Sequence, residues 1–294
     1  MIDVTVVVVS YNTRDLTLKT LASLASCAGD FALETIVVDN ASSDGSADAI
    51  CAAFPNVSVA RSKTNLGFAQ AVNLAASQAQ GRYLLLLNPD TVPGGAFIAE
   101  LVEFAGKHPE RGIYGGRTVR EDGSDFLAGY GFPTVWSAFC FATLMSTFAR
   151  QSRLFNPEEL PGLDRSEPVP VPALSGCLLL ADLELFLQHG GFDPRFFMYG
   201  EDMDLCYRAT RSGAQPTLVP AARIIHLGGK SSSSAGKVEM LMRGKITFLA
   251  KHQRPRLIKA LLMTGVFVRA IAGKEPWRSV WRTRRAWRNG WPAV

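Results

Sequence analysis

Short apolar runs alternate with amphipathic segments along the first third of the chain. Three runs rich in Val, Ile and Leu predict buried strands at residues 3–10, 33–38 and 83–87, and residues 57–60 predict a further short strand. Three segments between them have the apolar spacing of helices: residues 14–26, 46–54 and 68–77. This alternation predicts an α/β fold in which a mostly parallel sheet is flanked by helices on both faces.

Two acidic residues directly follow predicted strands, where sheets of this kind bind their ligands. Asp39 closes the second strand, and its carboxylate can accept the N3–H of a uracil or thymine ring. Alternatively, Asp39 only shapes a turn while Asp44 or Ser46 caps the next helix. Asp90 follows Asn88 and a proline, and suits either a hard divalent cation on a diphosphate or an ordinary proline-containing turn.

The pattern becomes less regular in the middle of the chain. Residues 137–149 are apolar and predict one helix, and the Pro- and Glu-rich residues 156–172 predict a surface loop. Regular structure is expected again at residues 178–181, in a helix at residues 202–211, and in a strand that ends at residue 226. The apolar and basic residues that follow predict a C-terminal helical extension.

Two later segments carry candidate chemistry. Residues 200–204 hold three acids at a helix start, which either complement the helix dipole or supply a base that faces a pocket. The preceding segment, residues 192–197, is rich in aromatic side chains, which indicates that it forms a wall of a sugar site. His226 precedes a loop with Lys230, and is either a structural histidine or a ligand beside a loop that closes on phosphates. The spacing here fails the P-loop pattern, and no GxGxxG follows the first strand.

Composition narrows the class of protein. With 294 residues and 47% apolar content, the chain is long enough for one large domain with an appendage. Its five cysteines form no CxxC pair, which predicts free, mostly buried thiols in a reducing compartment. No basic segment precedes the first apolar run, and no apolar stretch is long enough to span a bilayer. We therefore expect a cytoplasmic protein.

The C-terminal segment has a different balance of charge. From Arg254 onward the sequence contains ten basic residues and one acid, Glu275, and four tryptophans lie among the basic residues. This mixture predicts peripheral attachment to the anionic inner face of the cytoplasmic membrane. The alternative is a pair of amphipathic helices packed on the domain. No nucleic-acid partner is expected, and the sequence leaves a homo-oligomer open.

Taken together, the motifs resemble glycosyltransferase family 2, which has the GT-A fold. The matching segments occur in order: residues 6–12 (VVVVSYN), 37–42 (VVDNAS), 65–73 (NLGFAQAVN), 87–90 (LNPD), 176–177, 191–193, 201–205 (EDMDL) and His226. Within the family the chain is most similar to bacterial rhamnosyltransferases of cell-wall and O-antigen assembly. The resemblance implies a GT-A domain over residues 1–235, with a nucleotide-binding half at about 1–120 and an acceptor-binding half at about 121–235. Residues 236–294 form the tail.

The resemblance also implies roles for the matched residues. Asp202 is implied as the catalytic base, and Asp90 and His226 as ligands of Mg²⁺ or Mn²⁺. The residues implied to bind the nucleotide are Ser10, Tyr11, Asn12, Asp39, Asn65, Gly67, Asn88 and Lys230. The residues implied to line the acceptor and sugar pocket are Gly176, Cys177, Phe197 and Glu201.

One departure from the family pattern is visible, because Asn88 stands where the DxD signature has its first acid. The implied reaction is a single displacement that inverts the anomeric centre, with dTDP-L-rhamnose as donor and a saccharide, in particular a lipid-linked one, as acceptor. The alternatives are a UDP-hexose-dependent enzyme of the same family, a protein that binds nucleotide sugars without catalysis, and a sugar-1-phosphate nucleotidylyltransferase. The last would need a glycine-rich basic loop after the first strand, where this chain has SYNT.

Overall fold

The computed structural model describes residues 2–27, 29–126, 128–228, 234–253, 255–273 and 275–292. The strands are β1 (Val4–Ser10), β2 (Leu33–Asp39), β3 (Ser58–Arg61), β4 (Tyr83–Leu87), β5 (Thr91–Pro93), β6 (Ile113–Val119), β7 (Gly129–Tyr130), β8 (Val169–Pro170), β9 (Ala173–Leu174), β10 (Leu178–Asp182) and β11 (Thr217–His226). The first helices are α1 (Arg14–Leu24), α2 (Ser46–Ala53), α3 (Gly67–Ala76), α4 (Phe97–Lys107), α5 (Val135–Ala142) and α6 (Met145–Phe148). The remaining helices are α7 (Leu183–Gln188), α8 (Glu201–Arg211), α9 (Ser234–His252), α10 (Pro255–Ile271), α11 (Trp277–Arg282) and α12 (Arg284–Trp287).

The main sheet has the strand order β3-β2-β1-β4-β10-β6-β11-β5, and β8 pairs with β11 beside it. The first four strands of this order are mutually parallel, as the alternation of strands and helices predicts. Strand β10 then runs antiparallel to β4, with Leu178 opposite Leu87. This antiparallel insertion brings residues 176 and 177 to the edge of the sheet where β4 ends. The predicted α/β class is therefore confirmed, with a mixed sheet.

The strands form because their side chains are buried on both faces of the sheet. Val4, Val6 and Val8 point into one apolar layer with α1, α2 and α4, while Val7 points into the other layer with α3. β-branched side chains suit this fully covered position, which explains the near-continuous apolar runs of the sequence. The carboxyl ends of β1, β2 and β4 lie together at one edge of the sheet, where β1 ends at Ser10 and β2 ends at Asp39.

Two predicted segments differ in detail. The single helix expected at residues 137–149 is two helices, α5 and α6, because Leu144 adopts a left-handed conformation with φ of 66°. The surface loop expected at residues 156–172 contains the short strand β8, which pairs with β11. All five cysteines are free and four of them are buried, in agreement with the expectation from their spacing.

The C-terminal extension is helical, as predicted, and it packs on the domain. Ile246 and Phe248 of α9 and Leu262 of α10 belong to the same apolar core as strands β1 and β2. The predicted boundary at residue 235 therefore falls at the start of a helix that shares the core of the preceding region. Of the helices that the structure describes, none combines the length and the apolarity that crossing a bilayer requires.

Candidate active site

The carboxyl group of Asp39 lies buried at the end of β2. Its Oδ2 accepts a weak hydrogen bond from the backbone N–H of Ser42 at 3.4 Å. Its Oδ1 is buried and has no hydrogen-bond partner among the described residues. A buried, unpaired acceptor is costly, and such atoms usually await a ligand or a water. Asp39 is therefore placed to accept an N–H from a bound ring. The expected cap by Asp44 or Ser46 is not formed, because the N-cap of α2 is Gly45, and Asp44, one residue earlier, accepts the backbone N–H of Ser46.

The residues after β1 surround this carboxyl group. Tyr11 is 47% exposed and leaves its ring available to a planar ligand. Asn12, with φ of 53°, accepts the backbone N–H of Ser43 at 2.8 Å and ties the β1 and β2 loops together. The Ser10 side chain is fully buried and contacts Thr13 and Thr17 at 3.1 Å. Its hydroxyl therefore supports the start of α1, and its role in binding a nucleotide stays a prediction.

A network of amides holds the turn before α3. Asn40 is buried and donates to Asn65 Oδ1 at 3.0 Å, while its own Oδ1 accepts the N–H of Leu66 at 2.8 Å. Asn65 Oδ1 also accepts the N–H of Gly67 at 2.9 Å. The side chain of Asn65 is therefore occupied in shaping the turn. Gly67 has φ of 77°, and a Cβ there would overlap the carbonyl oxygen of Phe197.

Asp90 and His226 converge at the same edge of the sheet. Strand β11 pairs with β5 so that His226 lies opposite Thr91, and His226 Nε2 is 3.5 Å from Asp90 Oδ1. The ring stacks on Phe126 at 4.4 Å, and its Nδ1 accepts the N–H of Gly228 at 3.0 Å. Burial lowers the pKa of His226, although Asp90 opposes this shift, so the imidazole is neutral near neutral pH.

This pair fits a divalent cation with few protein ligands. Carboxylate oxygen suits Mg²⁺ and Mn²⁺, and neutral imidazole is a usual ligand of transition metals. The described residues contain no group of three or more His, Cys, Asp and Glu side chains that could enclose a metal by themselves. The other coordination positions would then belong to diphosphate oxygens and water. The backbone N–H of Asn88 donates to the carbonyl oxygen of Cys177 at 3.1 Å. This contact holds Asn88, two residues before Asp90, at the end of β4.

Asp202 lies at the first turn of α8, facing the strand edge. Its Oδ2 accepts the N–H of Gly176 at 3.0 Å, and its Oδ1 accepts the N–H of Met203 at 2.8 Å. Burial raises the pKa of Asp202, and the Tyr130 hydroxyl and the two backbone N–H groups partly oppose that rise. A carboxylate with a raised pKa and a fixed orientation is suited to take a proton from an alcohol.

The three acids at this helix start have separate environments. Glu201 is buried, its Oε2 has no hydrogen-bond partner among the described residues, and burial raises its pKa well above the usual range. Asp204 is fully buried against the cations Arg208 and Lys251, each at 2.7 Å, and against the ring of His252 at 2.6 Å. Of these three acids, Asp202 is the one whose carboxyl group lies at the strand edge, has a fixed orientation and is ionisable.

The aromatic loop before α8 is braced from two sides. Asn73 of α3 donates to the carbonyl of Phe192 at 2.7 Å and accepts its N–H at 2.9 Å. Phe197 contacts the ring of Trp291 at 5.3 Å, and the Trp291 indole donates to Met198 O at 3.1 Å. The loop that presents Phe197 therefore rests on both helix α3 and the C-terminal tail.

Three further residues of the site, Tyr130, Asn40 and Asn73, are not among those predicted from the sequence. Asn40 and Asn73 lie inside the motifs that carry the family resemblance, so those motifs were a signal for them. Tyr130 had no such signal, because it lies in a two-residue strand that pairs with β9 and reaches Asp202 only in the folded chain. Lys230, predicted to contact phosphates, lies outside the described residues.

Comparison with known proteins identifies the family of the chain. The family model described as "Glycosyl transferase family 2" matches residues 5–176, more than half of the chain. The chain is 30% identical to the N-acetylglucosaminyl-diphospho-decaprenol L-rhamnosyltransferase of Mycobacterium tuberculosis, over 83% of this chain and 82% of that protein. It is 26% identical to the rhamnosyltransferase WbbL of Escherichia coli K12, over 49% of this chain and 52% of that protein.

Solved structures give the same fold at low identity. A mannosyltransferase from Pyrobaculum calidifontis superposes with a TM-score of 0.60 at 18% identity, covering 96% of this chain and 79% of that chain. The structure of GalNAc-T7 superposes with a TM-score of 0.64 at 17% identity, covering 97% and 54%. These likenesses show the GT-A fold, and with the family match they lead to one conclusion. The chain belongs to glycosyltransferase family 2 and is a glycosyltransferase similar to bacterial rhamnosyltransferases.

Proposed function

We propose that this enzyme is an inverting rhamnosyltransferase that transfers L-rhamnose from dTDP-L-rhamnose to a hydroxyl of a lipid-linked saccharide in cell-surface polysaccharide synthesis. The observation that carries the chemistry is the Asp202 carboxyl group, held by two backbone N–H groups at the strand edge. The unpaired Asp39 oxygen and the Asp90–His226 pair lie along the same edge. A base, a nucleotide site and a metal site along one edge of the sheet are what sugar transfer requires.

Donor binding is assigned to the nucleotide-binding half. Asp39 Oδ1 accepts N3–H of the base, and Tyr11 covers the ring. Asp90 Oδ1 and His226 Nε2 would hold Mg²⁺ or Mn²⁺, and the cation would neutralise negative charge on the leaving diphosphate. Support comes from the mannosyltransferase and GalNAc-T7 structures, both of which are described as complexes with Mn²⁺. We assign residues 1–120 to the donor, 121–235 to the acceptor, and 236–294 to support and attachment.

Transfer follows from the position of Asp202. Its carboxylate takes the proton of the acceptor hydroxyl, whose oxygen forms a bond to the anomeric carbon as the bond to the diphosphate breaks. The proton remains on Asp202, and the electron pair leaves with the nucleoside diphosphate. One displacement inverts the anomeric centre. Because burial raises the pKa of Asp202, the base is stronger than a solvated aspartate and remains ionisable.

The choice of rhamnose rests on the relatives and on the sugar-facing loop. The mycobacterial relative is named for transfer of L-rhamnose to N-acetylglucosaminyl-diphospho-decaprenol, and we propose the same class of donor and acceptor here. The thymine methyl contributes only about 0.8 kcal/mol when buried, so the sugar pocket must provide most of the selectivity. Phe196 is fully buried in the core, which leaves Phe197 and Met198 as apolar neighbours for a 6-deoxy methyl.

The test is transfer by the purified chain to N-acetylglucosaminyl-diphospho-polyprenol with four donors. They are dTDP-L-rhamnose, UDP-glucose, UDP-galactose and UDP-N-acetylglucosamine. We expect the fastest turnover with dTDP-L-rhamnose, in the presence of Mg²⁺ or Mn²⁺. Faster turnover with a UDP-hexose would replace the donor assignment, and donor binding without turnover on any acceptor would favour a non-catalytic role. We further propose a cytoplasmic enzyme held at the inner face of the membrane that carries its acceptor.

A further inference from the structure

Helix α10 exposes an apolar stripe. Beyond the exposed Arg256 in its first turn, its exposed positions are Leu257, Ala260, Thr264, Phe267 and Ile271, at alternating spacings of three and four residues. This spacing places them along one side of the helix. A surface helix normally turns charged residues outward, and this stripe contains none. Leu257 is 57% exposed and Ile271 is 67% exposed, so the described residues do not cover the stripe.

The neighbouring helices α5 and α6 also expose apolar side chains to solvent. Trp136 and Phe139 lie one turn apart on the exposed side of α5, and Phe148 of α6 is 85% exposed. Leu154 continues the surface, because its carbonyl oxygen accepts the Trp136 indole N–H at 2.6 Å. These are large apolar side chains on a loop and two short helices that the sheet does not bury.

The two segments are joined into one surface. A Cβ on Gly265 would overlap the ring of Phe141, so α10 and α5 approach closely. Arg269 of α10 is buried between them, and its guanidinium donates to Thr147 Oγ1 of α6 at 2.8 Å. Phe148 is adjacent to Thr147, and Phe267 and Ile271 lie on either side of Arg269. Eight of the eleven large apolar side chains that are exposed on the described chain belong to these segments.

Taken together, the two segments that form this surface are also richer in basic residues than the rest of the chain. Residues 128–157 contain two basic residues and no acid, and residues 254–294 contain ten basic residues and one acid. Since the whole chain has a net charge of +5, the rest of the molecule carries net −6. An apolar surface in a basic region, on an otherwise acidic protein, complements an anionic bilayer.

We propose that this surface, the docking face, binds an anionic phospholipid bilayer. It consists of Val135, Trp136, Phe139, Phe148, Leu154, Leu257, Phe267 and Ile271. The aliphatic and aromatic side chains enter the interfacial layer, and the surrounding arginines meet the phosphates. The docking face replaces the tryptophans as the proposed lipid contact. Trp287 is fully buried, and the rings of Trp277 and Trp281 pack on Phe141 and Phe267.

The docking face is connected to the site of transfer. Helix α5 begins five residues after Tyr130, whose hydroxyl interacts with Asp202. The tail that carries α10 also carries Trp291, which supports the loop of Phe197. Docking would therefore bring the acceptor side of the enzyme to the bilayer. This last step rests on the proposed lipid-linked acceptor, whereas lipid binding by the docking face does not.

The test is co-sedimentation of the full chain with vesicles of phosphatidylcholine and phosphatidylglycerol. We expect binding that weakens in high salt and in pure phosphatidylcholine. The double variant Phe148→Glu/Phe267→Glu should lower the partition coefficient by at least about tenfold, because two charges replace two inserted rings. The matched control is Leu187→Glu, since Leu187 is a half-exposed apolar residue on α7, outside the docking face. It should bind like the wild type.

Melting temperatures and transfer to a water-soluble acceptor check that each variant is folded. Wild-type partition by the double variant, or no vesicle binding by the wild type, would overturn the proposal. A wild-type dimer that the double variant abolishes, without vesicle binding, would assign the docking face to a second copy of the chain and also overturn it. Vesicle binding without transfer from any donor would instead count against the proposed function alone.

Discussion

The substitution Asp202→Asn tests the base directly, and the structure shows that it has two effects. In the wild type both carboxylate oxygens accept backbone N–H groups, from Gly176 and Met203. An asparagine has only one acceptor oxygen, so its NH₂ must face one of these N–H donors. The variant therefore loses both the base and one buried hydrogen bond.

The two effects have different sizes and different readouts. Loss of a positioned base typically slows a reaction by about 10²–10⁴-fold, which is about 3–5 kcal/mol of transition-state stabilisation. An unpaired buried N–H costs about 1–3 kcal/mol of folding stability, which lowers the melting temperature by a few degrees in a protein of this size. Turnover should therefore fall far more than the folded fraction at the assay temperature.

The assay is initial-rate transfer from the preferred donor, with calorimetric titration of the nucleoside diphosphate in Mg²⁺ as a measure of donor binding. We expect nearly unchanged nucleotide affinity. The matched control is Asp204→Asn on the same helix, which disrupts the cluster of Arg208, Lys251 and His252 and should lower the melting temperature while retaining turnover within about tenfold. Turnover of Asp202→Asn within about tenfold of the wild type would refute the assignment of the base.

Three further predictions concern the same site. Activity should require a divalent cation, and His226→Ala should raise the concentration of Mn²⁺ needed for half-maximal rate; full activity in excess chelator would exclude this role. Tyr130→Phe should move the acidic limb of the pH–rate profile to higher pH, because the Tyr130 hydroxyl lowers the pKa of the base Asp202; an unchanged limb would show that the hydroxyl does not act on Asp202. Glu201 has a raised pKa in the folded state, so it reduces stability progressively as pH rises above its ordinary value of 4.5. Glu201→Gln should therefore raise the melting temperature relative to the wild type more at pH 8 than at pH 4.5, and an equal difference at both would contradict this.

The sequence alone was sufficient to predict the elements that depend on residues close together along the chain. Fully buried strands need apolar side chains on both faces, so β1, β2 and β4 are visible as continuous runs. Asp39 and Asp90 were predicted to lie at one edge of the sheet because each comes at or shortly after the carboxyl end of such a strand. The order of the motifs gave the family, and the family matches agree with it.

Other features depend on contacts between distant segments. The residue pattern alone did not distinguish the three acids at the start of α8, and only the family resemblance implied Asp202 as the base. Tertiary contacts separate them, because Gly176 binds Asp202 while Lys251 and His252 bind Asp204. The sequence likewise favoured the tryptophans of the tail as the membrane contact. Packing buried or covered them, and left the stripe of α10 and the helices α5 and α6 exposed instead. Composition fixes which residues are apolar, but only the packing of one helix against another determines which of their faces remain in contact with solvent.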